Sequence, residues 1–190
     1  MWAALIPLAY LLGTVPSANL VARASGVDIR TVGSGNPGAS NVARSLGWRK
    51  GLWVFALDGA KGALAAAVGL IVAGRPAGYI LVAAAIIGHE FPIWQGFRGG
   101  KGVATGTGGF AVLSPLVVLS LVPVWVIVSR TTKKASLASM AVVVLLPIGV
   151  GIVRQEVWEV LATIGLCGLV MIRHAGNIQR LASREENVLN

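Results

Sequence analysis

The amino-acid sequence predicts an all-α integral membrane protein, and three observations lead to this fold class. The chain of 190 residues is 55% hydrophobic but only 12% charged, whereas soluble domains carry roughly 25% charged residues. Its apolar runs are long enough to cross a bilayer and lack the strict alternation of β-barrel strands. Backbone polar groups in lipid must bond within the protein, so the spans are expected to be helices.

The apolar elements predict a seven-helix transmembrane bundle with one short or broken helix. The expected elements cover residues 2–22, 51–74, 77–94, 103–112, 115–128, 136–153 and 157–172. The first is interrupted around Gly13 and Pro16. The fourth is too short to cross and is rich in Gly and Thr, so we interpret it as a half-length helix buried in protein. A polar tail follows from residue 173, and no linker is evident, so residues 1–190 are expected to form a single domain.

The basic residues predict the orientation of this bundle in the membrane. The first cation, Arg23, follows the first apolar element, which favours a retained anchor with an outside N-terminus over a cleaved signal peptide. Seven elements then place the C-terminus inside. Every other Lys and Arg also lies in a loop assigned to the inside, except Arg75, Arg154 and the intrahelical Lys61. The glycine-rich loops are therefore expected to be cytoplasmic.

Residues 33–41 form the most distinctive loop, with three glycines, two serines, two asparagines and a proline. Glycines allow positive φ and a close approach of the backbone to a ligand, and successive N–H groups can then bind an anion. A helix is expected to begin near Ser40, and Arg44 follows. A glycine-rich turn that opens a helix beside an arginine favours a bound phosphate. The alternative is a plain interhelical turn, which such clusters often form.

Four clusters of polar residues are expected on the same cytoplasmic face. They are Ser34, Asn36, Asn41 and Arg44; His89 with Lys101; Ser136 with Ser139; and Arg173 with His174 and Asn177. Such a basic, glycine-rich pocket suits a phosphorylated ligand. The net charge of +9 could instead reflect the positive-inside rule or anionic lipid head groups, although head groups do not explain why glycines flank Lys101. Nucleic acid is not an expected partner of so apolar a chain.

The residues that commonly carry catalysis form no familiar pattern. The few acidic residues lack metal-ligand spacing near the loops, so neither a metal nor a cofactor is expected. No G-x-S-x-G motif occurs, and the position five residues after His89 is Trp94 rather than an aspartate. His89 is therefore expected to be a structural hydrogen-bonding residue. His174 is the better site histidine, or else an interfacial histidine bonded to a helix C-terminal carbonyl.

Asp58 and Lys61 are three residues apart on one expected helix, so they can form an ion pair within the membrane. Ionised side chains in a span are costly and usually face the bundle interior. A buried pair that fixes helix packing is at least as reasonable an interpretation as a catalytic pair. The single cysteine, Cys167, is expected to be a packing residue.

Three separated segments, taken with the order of the spans, resemble the PlsY family of bacterial acyl-phosphate-dependent glycerol-3-phosphate acyltransferases. They are residues 33–41, residues 89–92 with 97–105, and residues 173–181; residues 58–62 also match. Ser40 stands where the family usually has Thr, and Arg98 stands where Lys is common. Arg184 stands where the family often has Gly, so no role is carried over to Glu185 or Glu186.

The resemblance implies that an acyl group passes from acyl phosphate to the 1-hydroxyl of sn-glycerol 3-phosphate. The products are lysophosphatidic acid and inorganic phosphate, and this is the first step of bacterial phospholipid synthesis. The acyl donor is already activated, so no covalent acyl-enzyme is expected. The expected location is the bacterial inner membrane, among membrane lipids, and the protein is expected to act as a monomer. A transporter of phosphorylated solutes and a lipid-binding structural protein are the alternatives.

The resemblance also implies roles for individual residues. Ser34, Lys101 and His174 are the expected catalytic residues. The expected substrate-binding positions are Gly35, Asn36, Gly38, Ala39, Ser40, Asn41, Arg44, Gly100, Gly102, Thr105, Ser136, Ser139 and Asn177. The roles of Asp58, Lys61 and His89 stay open between structural and functional.

Overall fold

The computed structural model describes residues 2–188, and these residues form helices and connecting turns without a strand. The helices are α1 (Leu5–Gly13), α2 (Ser17–Arg23), α3 (Ala39–Leu46), α4 (Trp48–Glu90), α5 (Val103–Leu113), α6 (Pro115–Thr132), α7 (Ala135–Arg154), α8 (Val157–Ile172) and α9 (Ala175–Ala182). The predicted all-α fold class is therefore confirmed. The chain divides into two compact units, residues 2–113 and residues 114–188.

In the first unit, the first apolar segment is split at the expected place. Helix α1 ends at Gly13 and α2 begins at Ser17. Pro16 has no N–H to donate and disfavours helical geometry in the residue before it, so the helix cannot run through this point. The carbonyl of Val15, at the break, accepts a hydrogen bond from Lys61 Nζ at 2.5 Å. The break thus provides a backbone acceptor for a charged side chain.

Helix α4 contains two of the expected spans joined by a sharp bend. It has 43 residues and leaves helical geometry at Ala73 and Gly74, where Gly74 has a φ of +76°. A straight helix of this length would measure about 65 Å, roughly twice the hydrocarbon thickness. Gly69 packs against Gly78 across the bend, so the two arms approach each other closely. The second arm ends at Glu90, earlier than the expected residue 94, because Pro92 prevents the helix from continuing.

Helix α5 is the expected half-length element, with 11 residues and a length of about 16 Å. Glycines allow it to pack tightly on the first arm of α4. Gly62 lies directly against the backbone carbonyl of Thr105, and Gly108 lies against the carbonyl of Gly59. Small residues at such contacts let helix backbones approach closely, which is typical of packing in membranes.

The second unit begins with α6 and α7, which are joined by a turn at Lys133, where φ is +56°. The next turn leads from α7 to α8, and Arg154 there pairs with the buried carboxylate of Glu159, with 3.3 Å between Nε and Oε2. Residues 175–182 of the expected polar tail form α9. This helix meets α8 at a bend of 59°.

Length and apolar composition identify four helical segments in the described residues that can cross a membrane. They are Trp2–Arg23, Trp48–Gln95, Pro115–Thr132 and Ala135–Arg154, and the bent pair of α8 and α9 makes a fifth. The second segment is bent into two arms and α5 is too short to cross. The predicted number of seven helices therefore stays a prediction.

Candidate active site

The first glycine loop is organised by one buried amide. The side chain of Asn41 lies in the first turn of α3 and is only 2% exposed. Its Oδ1 accepts a hydrogen bond from the backbone N–H of Ser34 at 2.9 Å. Its Nδ2 donates to the carbonyls of Ile29 and Val32, each at 3.1 Å. All three bonds hold the backbone before and within the loop, so this amide sets the loop conformation.

The backbone of this loop contains two left-handed glycines and leads into a helix. Gly33 and Gly35 have φ values of +58° and +67°, which L side chains rarely adopt. Gly38 is extended and precedes α3, so the loop leads directly into a helix N-terminus. The positive end of a helix dipole and the backbone N–H groups there favour bound anions. Arg44 lies on the same short helix and adds a positive charge. The N–H groups of Gly35 and Gly38, however, donate to the carbonyls of Val32 and Asn36, so the expected anion site stays a prediction.

The second glycine loop folds back on the end of α4. Gly99 donates its N–H to the carbonyl of Glu90 at 3.0 Å, and Gly100 donates to the carbonyl of His89 at 3.1 Å. A Cβ at Gly100 would overlap the imidazole Nε2 of His89. Gly102 has a φ of +76° just before α5. These glycines are therefore required by close approach, and they hold the partly buried Lys101 between the end of α4 and the start of α5.

Arg30 bonds the segment before the first glycine loop to the segment before the second. Its Nη2 donates to Oε1 of Gln95 at 2.5 Å and to the carbonyl of Arg98 at 3.1 Å. Arg30 precedes the first loop, whereas Gln95 and Arg98 precede the second. Sequence reasoning missed this contact because the bonded residues are 65 or more positions apart and follow no local pattern.

A buried polar cluster lies beside the second loop. Lys61 Nζ is 2.6 Å from Asp58 Oδ1, and the two side chains are 4% and 3% exposed. The expected ion pair is therefore present. Asp58 Oδ1 also lies 3.6 Å from Nδ1 of His89.

In the second unit, His174 and Asn177 occupy the junction of α8 and α9. His174 is 1% exposed, and its Nδ1 lies 2.8 Å from the carbonyl of Val170, which is the helix-end contact considered as the alternative to a site role. Asn177 Nδ2 donates to Glu186 Oε1 at 2.8 Å, and Arg180 Nε donates to Glu186 Oε2 at 3.2 Å. Glu186 was missed because the segment around it departs from the family pattern at Arg184.

Three buried hydroxyl groups among the expected binding residues differ in whether they have a hydrogen-bond partner. Ser139 accepts a hydrogen bond from Trp125 Nε1 at 3.3 Å in the second unit. The buried hydroxyls of Ser136 and Thr105 have no hydrogen-bond partner within residues 2–188.

Within residues 2–188, no three His, Cys, Asp or Glu side chains are grouped as metal ligands would be. The expectation that the reaction needs neither metal nor cofactor stays a prediction.

Comparison with known proteins decides the family. Residues 3–184 match the family model described as glycerol-3-phosphate acyltransferase. The chain belongs to this family. The acyltransferase is 40% identical over 184 residues to a glycerol-3-phosphate acyltransferase of Geotalea daltonii, covering 95% of this chain and 93% of the relative. It is 41% identical over 187 residues to one of Thioalkalivibrio sulfidiphilus, covering 96% and 91%.

Solved structures agree with this assignment. The acyltransferase resembles the crystal structure of PlsY, an integral membrane glycerol 3-phosphate acyltransferase, in its glycerol 3-phosphate form. The TM-score is 0.92 at 34% identity, covering all of this chain and 96% of the other. The lysophosphatidic acid form of PlsY gives a TM-score of 0.90. The resemblance inferred from the three motifs is therefore confirmed, and the protein is an integral membrane acyltransferase.

Proposed function

We propose that this acyltransferase moves an acyl group from acyl phosphate to the 1-hydroxyl of sn-glycerol 3-phosphate. The observation that carries the proposal is the pair of glycine loops in the first unit, whose preceding segments Arg30 bonds to each other. Both substrates of the proposed reaction carry a phosphate, and each loop combines glycine backbone with a nearby cation, Arg44 or Lys101. The solved relatives are described in forms with glycerol 3-phosphate and with lysophosphatidic acid, which supports the proposed acceptor and product.

The reaction proceeds by direct attack. The 1-hydroxyl oxygen forms a bond to the acyl carbonyl carbon, the bond from that carbon to the phosphate oxygen breaks, and inorganic phosphate leaves. The hydroxyl proton passes to a substrate phosphate. Acyl phosphate is a mixed anhydride with a good leaving group, so no protein nucleophile and no acyl-enzyme are required. Positioning of the two substrates and neutralisation of developing charge supply the rate.

The residue roles follow the family resemblance position by position. Glycerol 3-phosphate is held by Arg44 and Lys101 in the first unit. The resemblance also assigns substrate binding to Ser139, His174 and Asn177 of the second unit. The phosphate of acyl phosphate is held by Ser34 and by the backbone of residues 35–41. The loop conformation set by Asn41 supports the assignment for acyl phosphate, because a buried side chain fixes the backbone at Ser34.

The setting of the reaction is proposed on two further grounds. The family match extends over residues 3–184 and includes both compact units, which supports one acyltransferase domain; we propose that it acts as a monomer. The distribution of Lys and Arg supports an inner-membrane protein with an outside N-terminus and a cytoplasmic active site. The first product then forms at the cytoplasmic surface, where lysophosphatidic acid enters phospholipid synthesis.

The proposal is tested with purified protein, glycerol 3-phosphate and palmitoyl phosphate, with lysophosphatidic acid and phosphate release both measured. We expect one phosphate released per lysophosphatidic acid formed, and no product with palmitoyl-CoA. Labelled palmitoyl phosphate without glycerol 3-phosphate should leave no label on the protein. Product from palmitoyl-CoA would overturn the donor assignment. Movement of glycerol 3-phosphate into proteoliposomes without acylation would indicate a transporter instead.

Lys101→Ala is the companion variant for the acceptor site. Truncating one partner of a buried charge contact costs about 2–5 kcal/mol, so kcat/KM for glycerol 3-phosphate should fall accordingly. Lys50→Ala, which removes an exposed cation at the start of α4, is the matched control and should keep normal kinetics. A Lys101→Ala enzyme with normal turnover and a normal KM for glycerol 3-phosphate would contradict the assignment.

A further inference from the structure

Folding alone does not explain why the charged side chains of Asp58 and Lys61 are buried as an ion pair. Both residues lie in the first arm of α4, inside an apolar segment, and are almost fully buried. Removing two charges from water is costly, and replacing a buried ion pair by apolar residues of similar volume is often neutral or stabilising. Polar groups buried in a membrane segment commonly serve function instead. A role other than stability is therefore the better explanation of this pair.

The contacts of the pair reach two other elements. Lys61 Nζ donates to the carbonyl of Val15, which lies at the break between α1 and α2. On the other side, Asp58 Oδ1 lies 3.6 Å from Nδ1 of His89, which is next to the last residue of α4. The pair thus connects the break in the first span, the first arm of α4 and the end of its second arm.

His89 continues the connection into the second glycine loop. Its carbonyl accepts the N–H of Gly100 at 3.1 Å. Its imidazole Nε2 lies so close to Gly100 that a methyl group at that position would overlap it. The ring therefore determines how far the Gly100 backbone can move toward α4. Lys101 is the next residue, so the position of the ring also determines where the Lys101 side chain begins.

A small cleft shows that the cluster faces the loops. A narrow cleft is lined by Asp58 and His89 together with Pro37 of the first glycine loop and Gly100 of the second. Ser17, at the start of α2, lies on the same cleft. The buried cluster therefore borders a cleft that both loops also line, and its close contact is with Gly100 of the second loop.

We propose that Asp58, Lys61 and His89 are positioning residues for acyl transfer, which hold Gly100 in place and so fix Lys101 for glycerol 3-phosphate. This inference rests on the proposed role of Lys101. It makes the three residues act through the loop backbone rather than on the substrate. Their loss should therefore change the use of glycerol 3-phosphate more than that of the acyl donor.

The first test replaces the pair by apolar residues of similar size, Asp58→Leu with Lys61→Met. We expect the unfolding temperature in detergent to stay the same or rise, while the KM for glycerol 3-phosphate rises at least tenfold and the KM for palmitoyl phosphate changes less than twofold. The control is the ion pair of the second unit, Arg154→Met with Glu159→Leu, of which only the Glu159 side chain is fully buried; it should leave both KM values unchanged.

The second test uses His89, in case the double variant fails to fold. His89→Ala should raise the KM for glycerol 3-phosphate, and His89→Asn should restore part of it because the asparagine amide can take the place of Nδ1 beside Asp58. Gly100→Ala should also lose activity. The combined His89→Ala and Gly100→Ala variant should lose less than the product of the two single losses, because removing the ring makes room for the new methyl group.

The outcomes separate this inference from the proposed function. A folded Asp58→Leu, Lys61→Met enzyme with normal kinetics overturns it, as does a rise of both KM values by the same factor. Strictly multiplicative losses at His89 and Gly100 also overturn it. If Lys101→Ala raises the KM for glycerol 3-phosphate while the cluster variants do not, only the positioning role fails. If Lys101→Ala leaves that KM unchanged, the proposed role of Lys101 in binding glycerol 3-phosphate is wrong, and the positioning role that rests on it is wrong as well.

Discussion

At the scale of single residues, the side chain of Asn41 shows how a buried polar group can build a ligand loop. Its amide makes three hydrogen bonds, to the N–H of Ser34 and to the carbonyls of Ile29 and Val32. Buried polar groups are nearly always bonded, and leaving one unsatisfied costs about 1–3 kcal/mol. The identity of this one side chain therefore determines whether the loop keeps the shape proposed to hold the acyl-phosphate phosphate.

Asn41→Asp should impair use of the acyl donor in particular. The replacement keeps the size of the side chain but removes both N–H donors and places an acceptor beside two carbonyl oxygens. One lost bond of about 1.4 kcal/mol corresponds to tenfold in affinity, so we expect the KM for palmitoyl phosphate to rise at least tenfold in steady-state assays. Thr31→Val, whose exposed hydroxyl bonds only locally to the carbonyl of Asp28, is the control. An unchanged donor KM in Asn41→Asp would refute this role.

At the scale of secondary-structure elements, glycines determine how closely the helices of the first unit pack. Gly13 lies against the carbonyl of Ala85, and Gly88 lies against the carbonyl of Tyr10, where α1 meets the second arm of α4. Gly62 makes the equivalent contact between the first arm and α5. In lipid, helix association depends on packing and hydrogen bonding rather than on the hydrophobic effect. These contacts are therefore a main source of stability in this unit.

Gly62→Ala should destabilise the protein, because its methyl group would overlap the carbonyl of Thr105. Overpacking of this kind typically costs 1–3 kcal/mol, and we expect a lower unfolding temperature in detergent. Activity should fall as well, since α5 starts directly after the Lys101 loop. Gly168→Ala is the matched control: the site is open within 4 Å, so the helix should gain about 0.5–1 kcal/mol. Equal unfolding temperatures for the two variants would show that the contact is not tight.

At the scale of the whole molecule, the proposed orientation places the bend of α4 outside and the tail inside. This can be measured by labelling single cysteines with a membrane-impermeant maleimide in a Cys167→Ser background. We expect Ala73→Cys to be labelled in intact cells, and Lys50→Cys and Ser183→Cys only after the cells are made permeable. All three positions are exposed. The opposite pattern would reverse the topology and place the proposed site on the outer face.

Much of the fold was predictable because membrane helices are specified by local sequence patterns, namely long apolar runs and the residues that interrupt them. The interruption near Pro16, the bend of α4, the short α5 and the pairing of Asp58 with Lys61 all depend on residues within a few positions of each other. The family could likewise be inferred from three short motifs. Helix α9 was not predicted. It is a short amphipathic helix of eight residues, and so short a polar pattern cannot be told from an unstructured tail in the sequence.

The sequence by itself determined the fold class and the family, and it predicted the residues proposed to bind phosphate. Only the tertiary structure showed that Arg30 bonds the segments before the two glycine loops, that Glu186 accepts a hydrogen bond from Asn177, and that His89 packs on Gly100. Apolar character and glycine motifs are properties of neighbouring residues and can be read along the chain. A hydrogen bond between distant residues depends on how the helices pack, and no local pattern records it.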